Sequence, residues 1–322
     1  MAKHILKRLL YSVVTLFIIM SIVFSLLRLM PIEGYFNNYE KMTPTQIMVG
    51  MEKLGLNQSL PRQLFGFYGQ ILQGDLGTSG KIRVNYPIDR MIASKMPLSM
   101  QMGLMSVSIA ILAGLPLGVL MAKSKRSKSR LKLWSKFGTL FVVLIQSIPA
   151  SVYYLFIQIF GTELINKFTN LPTLFQIDNP LSWVLPVLSL SLGNMAMYAM
   201  WIYRYMMDES NKDYVQLARA KGVPAGVISS RHIFRNAVVP MVQYIPTSIL
   251  LTLMGSLYVE SLYSVPGMGG LLVDAIKRQD NSLVQALVLV YTVISIFGLL
   301  LGDVVMSLMD PRIRLSEKGG AH

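Results

Sequence analysis

Six apolar stretches punctuate the chain, at Leu9–Leu29, Leu98–Ala122, Phe137–Phe160, Ser182–Tyr203, Val238–Val259 and Leu283–Met309. Each reaches the about 20 residues that a helix needs to cross the hydrocarbon layer. The pattern predicts an all-α membrane protein with six transmembrane helices. The first stretch follows Lys3, Lys7 and Arg8, as a signal peptide would. Its apolar run exceeds the about 7–15 residues of such a leader, and no A-x-A-like cleavage site follows, so it reads as a retained span. The polar connection from Met30 to Pro97 is long, whereas most other connections are short.

Positive charge orients the spans. Basic residues gather in the N-terminal tail, between Lys123 and Lys136, between Arg204 and Arg235, and in the tail at Arg312, Arg314 and Lys318. The short connections on the opposite side hold only Lys167, Lys277 and Arg278. The excess of Lys and Arg marks the cytoplasmic side, which puts both termini in the cytoplasm and the long first connection outside. The expected division is a tail and first span (1–30), an extracytoplasmic loop (31–97), a five-helix core (98–309) with a cytoplasmic loop at 204–237, and a cytoplasmic tail (310–322). Composition fits: 53% of residues are hydrophobic and 14% charged, against roughly 25% charged in soluble domains. The net charge of +14 raises nucleic acid as a partner, but no basic stripe with interleaved aromatics lies away from the membrane-proximal segments. The charge reads as orientation and as a surface facing anionic lipid or partner subunits.

Polar and irregular positions inside the spans come next. Pro116, Pro149, Pro186 and Pro246 fall in the four middle stretches, and Gln146, Asn194 and Gln243 lie in three of them. Proline removes a backbone hydrogen bond and usually kinks a helix. These residues therefore suggest four bent central helices with straighter ones outside. Two readings stay open for each: lining a translocation path, or packing between helices. Glu260 and Asp303 are acids near or within spans. A proton route would need several such groups in series, so water or a structural partner is the better reading for both.

Catalytic chemistry fails residue by residue. The chain has no cysteine, and its three histidines (His4, His232, His322) form no ligand spacing. Gly74-Asp75-Leu76-Gly77-Thr78-Ser79-Gly80-Lys81 imitates a phosphate loop, but Ile82 stands where Ser or Thr is required, and the lysine would lie outside the cell. Gly77-Thr78-Ser79-Gly80 formally reads G-x-S-G, yet no span carries a histidine to activate the serine. Neither a metal nor a cofactor site is expected, and the chain reads as a passage and not an enzyme. A self-contained secondary transporter or channel is the rival; it would need intramembrane charge pairs or a filter-like sequence.

The cytoplasmic loop carries the most information. Asp213-Tyr214-Val215-Gln216-Leu217-Ala218-Arg219-Ala220-Lys221 favours a short helix, with Tyr214, Leu217 and Ala218 spaced to share a face. Gly222 suits a left-handed cap, and Pro224 the first turn of a second helix carrying Val227, Ile228 and Phe234. Such a helix–Gly–helix could lie on the lipid surface or dock a partner.

At this loop the sequence resembles the permease subunits of binding-protein-dependent ABC importers. Their E-A-A-x-x-x-G loop is matched by Gln216-Leu217-Ala218-Arg219-Ala220-Lys221-Gly222, with Pro240 downstream; Gln216 replaces the Glu and Leu217 the first Ala. The dipeptide/oligopeptide branch is most similar, through Ala218–Gly222, Leu54-Gly55-Leu56-Asn57, Gly74–Ser79, Glu260 with Pro266-Gly267-Met268-Gly269, and Asp310-Pro311-Arg312. Pro31-Ile32-Glu33-Gly34 departs from the branch's frequent P-G-D-P, which bears on the exact solute: peptide, nickel or another small molecule. The resemblance implies half of an importer in the bacterial cytoplasmic (inner) membrane. It implies a related second permease as partner, an extracytoplasmic binding protein, and two ATP-binding subunits that carry the ATP and Mg. Asp213–Gly222 and Pro224 would couple to those ATPases, and Glu260, Pro266, Gly267 and Gly269 would form an external motif.

Overall fold

The computed structural model describes residues 2–36, 39–125, 132–167, 170–253 and 256–309. Helix α1 (Ala2–Arg28) crosses first. The connection that follows is structured, with α2 (Pro44–Lys53), α3 (Leu60–Leu72) and a small antiparallel hairpin of β1 (Thr78–Ser79) and β2 (Tyr86–Pro87). Thr43 caps α2 in a reciprocal capping box with Gln46. Then come α4 (Ile88–Lys125), α5 (Lys132–Ser147), α6 (Ala150–Phe156), a widened turn at Ile157–Gly161, and α7 (Thr162–Asn166). Helix α8 (Val184–Glu209) leads to the short α9 (Asp213–Ala220), α10 (Ala225–Val227), a second widened stretch at Ile228–Phe234, and α11 (Arg235–Ala237). The chain ends in α12 (Val239–Leu253), α13 (Leu257–Leu262), α14 (Met268–Lys277) and α15 (Asn281–Met309).

Five of these helical segments are long and apolar enough to cross a membrane, and the pair around Ile148 makes up to six. The third expected span differs from expectation. Phe137–Phe160 is not one rod: Leu133–Ser147 and Ala150–Asn166 meet at 111°, because Pro149 has no N–H to continue the ladder. Helix α4 begins at Ile88, before the expected Leu98, and α8 runs past Tyr203 to Glu209. Pro186 also departs from the expected kink. It lies in the first turn of α8, where a missing N–H removes no interior bond.

The core forms where α4 packs along α8. Gly114 and Gly118, one turn apart on α4, let the backbones approach. A methyl at Gly114 would lie 2.6 Å from the Met195 carbonyl oxygen, and one at Gly118 would collide with Ala199 and Ile202. Small residues spaced by four are a recurring device for such contact in lipid. Two more apolar layers complete the bundle. Met91, Leu272 and Leu287 join α4, α14 and α15 at one end, and Ile202, Val215 and Ile233 join α8 to the α9–α11 loop at the other. Helix α1 is the most exposed span. Its C-terminal end is held by the Tyr35 hydroxyl, which donates to the Leu27 carbonyl at 2.6 Å, and by Arg28 over the Phe24 and Tyr35 rings. Burial pushes the Tyr35 phenol above its ordinary pKa, against the opposing pull of the Arg28 guanidinium.

Candidate coupling loop, external latches and path residues

Helix α9 ends in a complete Schellman cap. Gly222, with φ +71°, turns the chain so that its N–H reaches the Arg219 carbonyl (3.0 Å) and the Val223 N–H reaches Ala218 (3.1 Å). The expected face needs correction: Val215 and Ala218 are buried against the bundle, whereas Tyr214 and Leu217 are exposed, at 39% and 56%. Gln216, Arg219, Ala220 and Lys221 are also exposed, as are Asp213, Gly222 and Pro224. The second helix is likewise not regular. After α10 it widens over Ile228–Phe234, burying Ile228 and Ile233 and leaving Val227 exposed.

One hydroxyl ties the loop together. Tyr214 Oη bonds the Glu209 carboxylate at the end of α8, lies 3.0 Å from the His232 carbonyl, and accepts from Asn236 Nδ2 at 2.8 Å. Gln216 Nε2 and the Arg219 guanidinium donate to the Asn211 and Ser210 carbonyls at 3.3 and 3.4 Å. Helix α9 is thereby fastened both to the span before it and to the segment leading into α12. Behind it lies a 740 Å³ cavity whose lining includes Lys123, Met206, Arg219 and Ile228.

The external motif closes around a buried carboxylate. Glu260 is fully buried. Its Oε1 accepts from Ser99 Oγ at 2.7 Å, and its Oε2 from the Gly269 and Gly270 amides at 2.7 and 3.1 Å. Ser99 Oγ in turn accepts from Met268 N at 2.8 Å. The first three amides of α14, which no helical carbonyl can reach, are thus all paired. Gly267 leaves room for the carboxylate, since any Cβ there would strike Glu260 and Ser99; a methyl at Gly269 would lie 2.9 Å from the Ser256 carbonyl. Pro266 and Gly267 line a 420 Å³ cavity together with Glu260, Arg83, Lys95 and Asp274. The hydrogen-bond partners of Glu260 are therefore a hydroxyl and a helix N-terminus, and Lys95 lines the same cavity.

The imitation phosphate loop has an anion after all, and it is Asp280. Asp280 is buried. Its Oδ2 accepts from Ser79 Oγ (2.5 Å) and from the Lys81 and Ile82 amides (3.0 and 3.1 Å), and its Oδ1 from the Gly80 amide (3.1 Å). Oδ1 also caps α15 at the Leu283 amide, 3.4 Å away. Ser79, read as an unactivated nucleophile, is a structural donor. Asp280 was legible as an N-cap before an apolar run; Ser99 carried no sequence signal.

The path residues do not converge on one site. Asn194 Nδ2 donates to Thr252 Oγ1 (3.1 Å), and one turn on, Tyr198 and Ser248 share a hydrogen bond of 2.5 Å, so α8 is cross-linked to α12. Gln158, which the sequence reading passed over, is buried and donates to the Leu262 carbonyl at 2.9 Å. Pro186 is buried, Pro246 half-buried within α12, and Pro116 exposed on α4. Gln146 and Pro149 are exposed at the elbow between α5 and α6. The Gln243 side chain and Asp310-Pro311-Arg312 lie outside the described residues.

The model of the binding-protein-dependent transport system inner membrane component matches residues 114–315, and the model of the N-terminal part of such membrane components matches residues 1–87. The chain belongs to this family. The permease is 33% identical over 317 residues to the dipeptide transport system permease protein DppB of Lactococcus lactis subsp. cremoris (strain MG1363), covering 98% of this chain and 100% of that one. It is 30% identical to the oligopeptide transport system permease protein OppB of Haemophilus influenzae (strain ATCC 51907), again over 98% and 100%. A solved structure of the MetNI methionine ABC transporter in inward-facing conformations superposes with a TM-score of 0.52 at 15% identity, over 68% of this chain and 96% of that one. That likeness establishes the ABC importer permease fold. The permease is accordingly a multi-pass inner-membrane transport subunit with a non-catalytic role.

Proposed function

We propose that the chain forms half of the translocation pathway of an ATP-driven importer of di- and oligopeptides. The end-to-end match to dipeptide and oligopeptide permeases is the observation that carries the reading. In this reading both termini are cytoplasmic and a related second permease completes the pathway. An extracytoplasmic binding protein delivers the peptide, and two ATP-binding subunits hold ATP and Mg. Residues 31–87, α14 and the Glu260 motif face outward, where the binding protein docks.

Coupling runs through α9. Its outward face of Tyr214, Leu217 and Arg219 is available to an ATPase groove, while Val215 and Ala218 anchor it inward. Because Tyr214 joins Glu209 to Asn236, displacement of α9 pulls on α8 and on the segment entering α12 together. Nucleotide then biases an inward-open against an outward-open state through its different grip on this loop, as any population shift requires. The test is purification of the tagged chain in mild detergent, identification of co-purifying subunits, and reconstitution. Peptide-stimulated ATPase activity and ATP-dependent uptake are expected. Uptake by the chain alone, or driven by an ion gradient without ATP, overturns the proposal.

A further inference from the structure

A span that enters the hydrocarbon layer at Lys136 would carry the elbow between α5 and α6 to membrane depth. From Lys136 to Ile148 is about 18 Å along a helix axis at 1.5 Å per residue, short of the roughly 30 Å hydrocarbon thickness. Yet every residue from Gln146 to Val152 is exposed on the chain, and three of them are polar: Gln146, Ser147 and Ser151. The backbone is interrupted at the same place. Among the described residues, the carbonyls of Ile145, Gln146 and Ser147 accept no backbone hydrogen bond, since Pro149 has no N–H and the chain has turned before Ala150 and Ser151. The two serines differ from six other hydroxyl residues of the spans. Ser21, Ser25, Ser108, Thr139, Thr292 and Ser295 each donate back to the carbonyl four residues earlier. Among the described residues Ser147 and Ser151 donate to none.

Lipid cannot satisfy such a segment. Irregular backbone at membrane depth is tolerated only where it is buried in protein or lines a water-filled cavity. Burial does not occur within this chain. A partner helix packed permanently over the elbow would bring its own backbone groups already paired, so that its side chains alone would have to answer three carbonyls and three polar side chains. Water answers them all.

We propose that the Gln146–Ser151 elbow is part of the wall of a water-filled passage, and that its free carbonyls and polar side chains hydrogen-bond to the main chain of a passing peptide. The second half rests on the peptide reading given above. Main-chain contacts are indifferent to side chains, so this wall would hold peptides of differing sequence alike. The flanking exposed residues, Leu140 before the elbow and Phe156 after it, belong to the apolar outer face.

The chain contains no cysteine, so a single introduced thiol reports its own surroundings. Gln146→Cys, Ser147→Cys and Ser151→Cys are compared with Leu140→Cys and Phe156→Cys in membrane vesicles holding the assembled transporter, with labelling read on this chain. Uptake measured for each variant confirms that it is assembled, and three elbow positions guard against the loss of one. A charged, membrane-impermeant thiol reagent should label the elbow positions about tenfold or more faster than the two controls, as exposure to water and not lipid requires. Di- and tripeptides of unrelated side chains should slow that labelling to similar extents. Labelling only by a lipid-soluble maleimide, or by neither reagent, overturns the water-lined wall. Fast labelling that no transported peptide slows overturns the main-chain contact. If the unsubstituted transporter takes up no peptide, the functional reading fails, while labelling by the charged reagent still supports the water-lined wall.

Discussion

Glu260→Ala is the most direct test of the external latch. The substitution removes the acceptor for Ser99 Oγ and for the amides of Gly269 and Gly270, where Glu260 and Ser99 are both buried. Each buried donor left without a partner costs about 1–3 kcal/mol, and some water will enter the space vacated by the side chain, so the net loss should be about 3–5 kcal/mol. Glu260→Gln separates the acceptor from the charge. Its carbonyl can still serve Gly269 and Gly270, but its NH2 faces Ser99, which already accepts from Met268, and the serine proton is left over. That mismatch should cost about 1–2 kcal/mol. Gly267→Ala leaves every polar group in place but drives a methyl into Glu260 and Ser99, an overpacking that costs about 1–3 kcal/mol. The assay is thermal unfolding of the purified transporter in one detergent, paired with protease sensitivity of the external segments. The expected order of damage puts alanine at 260 first and glutamine last or level with Gly267→Ala. An unchanged midpoint for Glu260→Ala would falsify the latch. Equal damage from Gln and Ala would show that charge, and not the count of acceptors, is what matters.

Four further outcomes are expected. Gly222→Val forces a β-branched residue to φ +71°, costing about 1–2 kcal/mol or more locally; membrane insertion should persist while peptide-stimulated ATPase activity falls, and normal uptake by this variant would sink the lever. Tyr214→Phe keeps the ring but removes the hydroxyl that joins Glu209 to Asn236, so basal ATPase activity should survive with its peptide stimulation reduced, as measured in proteoliposomes. Gly118→Leu cannot coexist with the observed approach of α4 to α8; the chain should fail to accumulate in membranes, and wild-type levels on an immunoblot would contradict the packing. Asp280→Ala strips the anchor from the 80–82 amides; faster proteolysis between Thr78 and Tyr86, without loss of the spans, is expected.

The spans and the cap at Gly222 were legible because both obey local rules. A run of apolar residues is decided by the solvent, and the cap at Gly222 by a single φ angle. The break at Pro149 was only half legible. Its proline was visible, but nothing local told a shallow kink from a turn of 111°, and Pro186 looked the same in sequence while disturbing nothing. The face of α9 was misread because spacing groups Tyr214, Leu217 and Ala218 equally well with a neighbouring register, and only the packing of Val215 and Ala218 against the bundle chooses. Ser99 and Glu260 are 161 residues apart. A pairing of that kind has no periodicity, so it lay beyond a reading confined to neighbours along the chain.

The Asp280 anchor also bears on how the chain matures. Ser79 and its partner are 201 residues apart, with every span but the first and last lying between them. During synthesis the amides of Gly80, Lys81 and Ile82 therefore lack this carboxylate until the connection before the last helix has been made. A chain stopped short of Asp280 offers those amides no carboxylate and α15 no start. The bond thus makes the fixing of the Gly80–Ile82 segment depend on the start of the final helix.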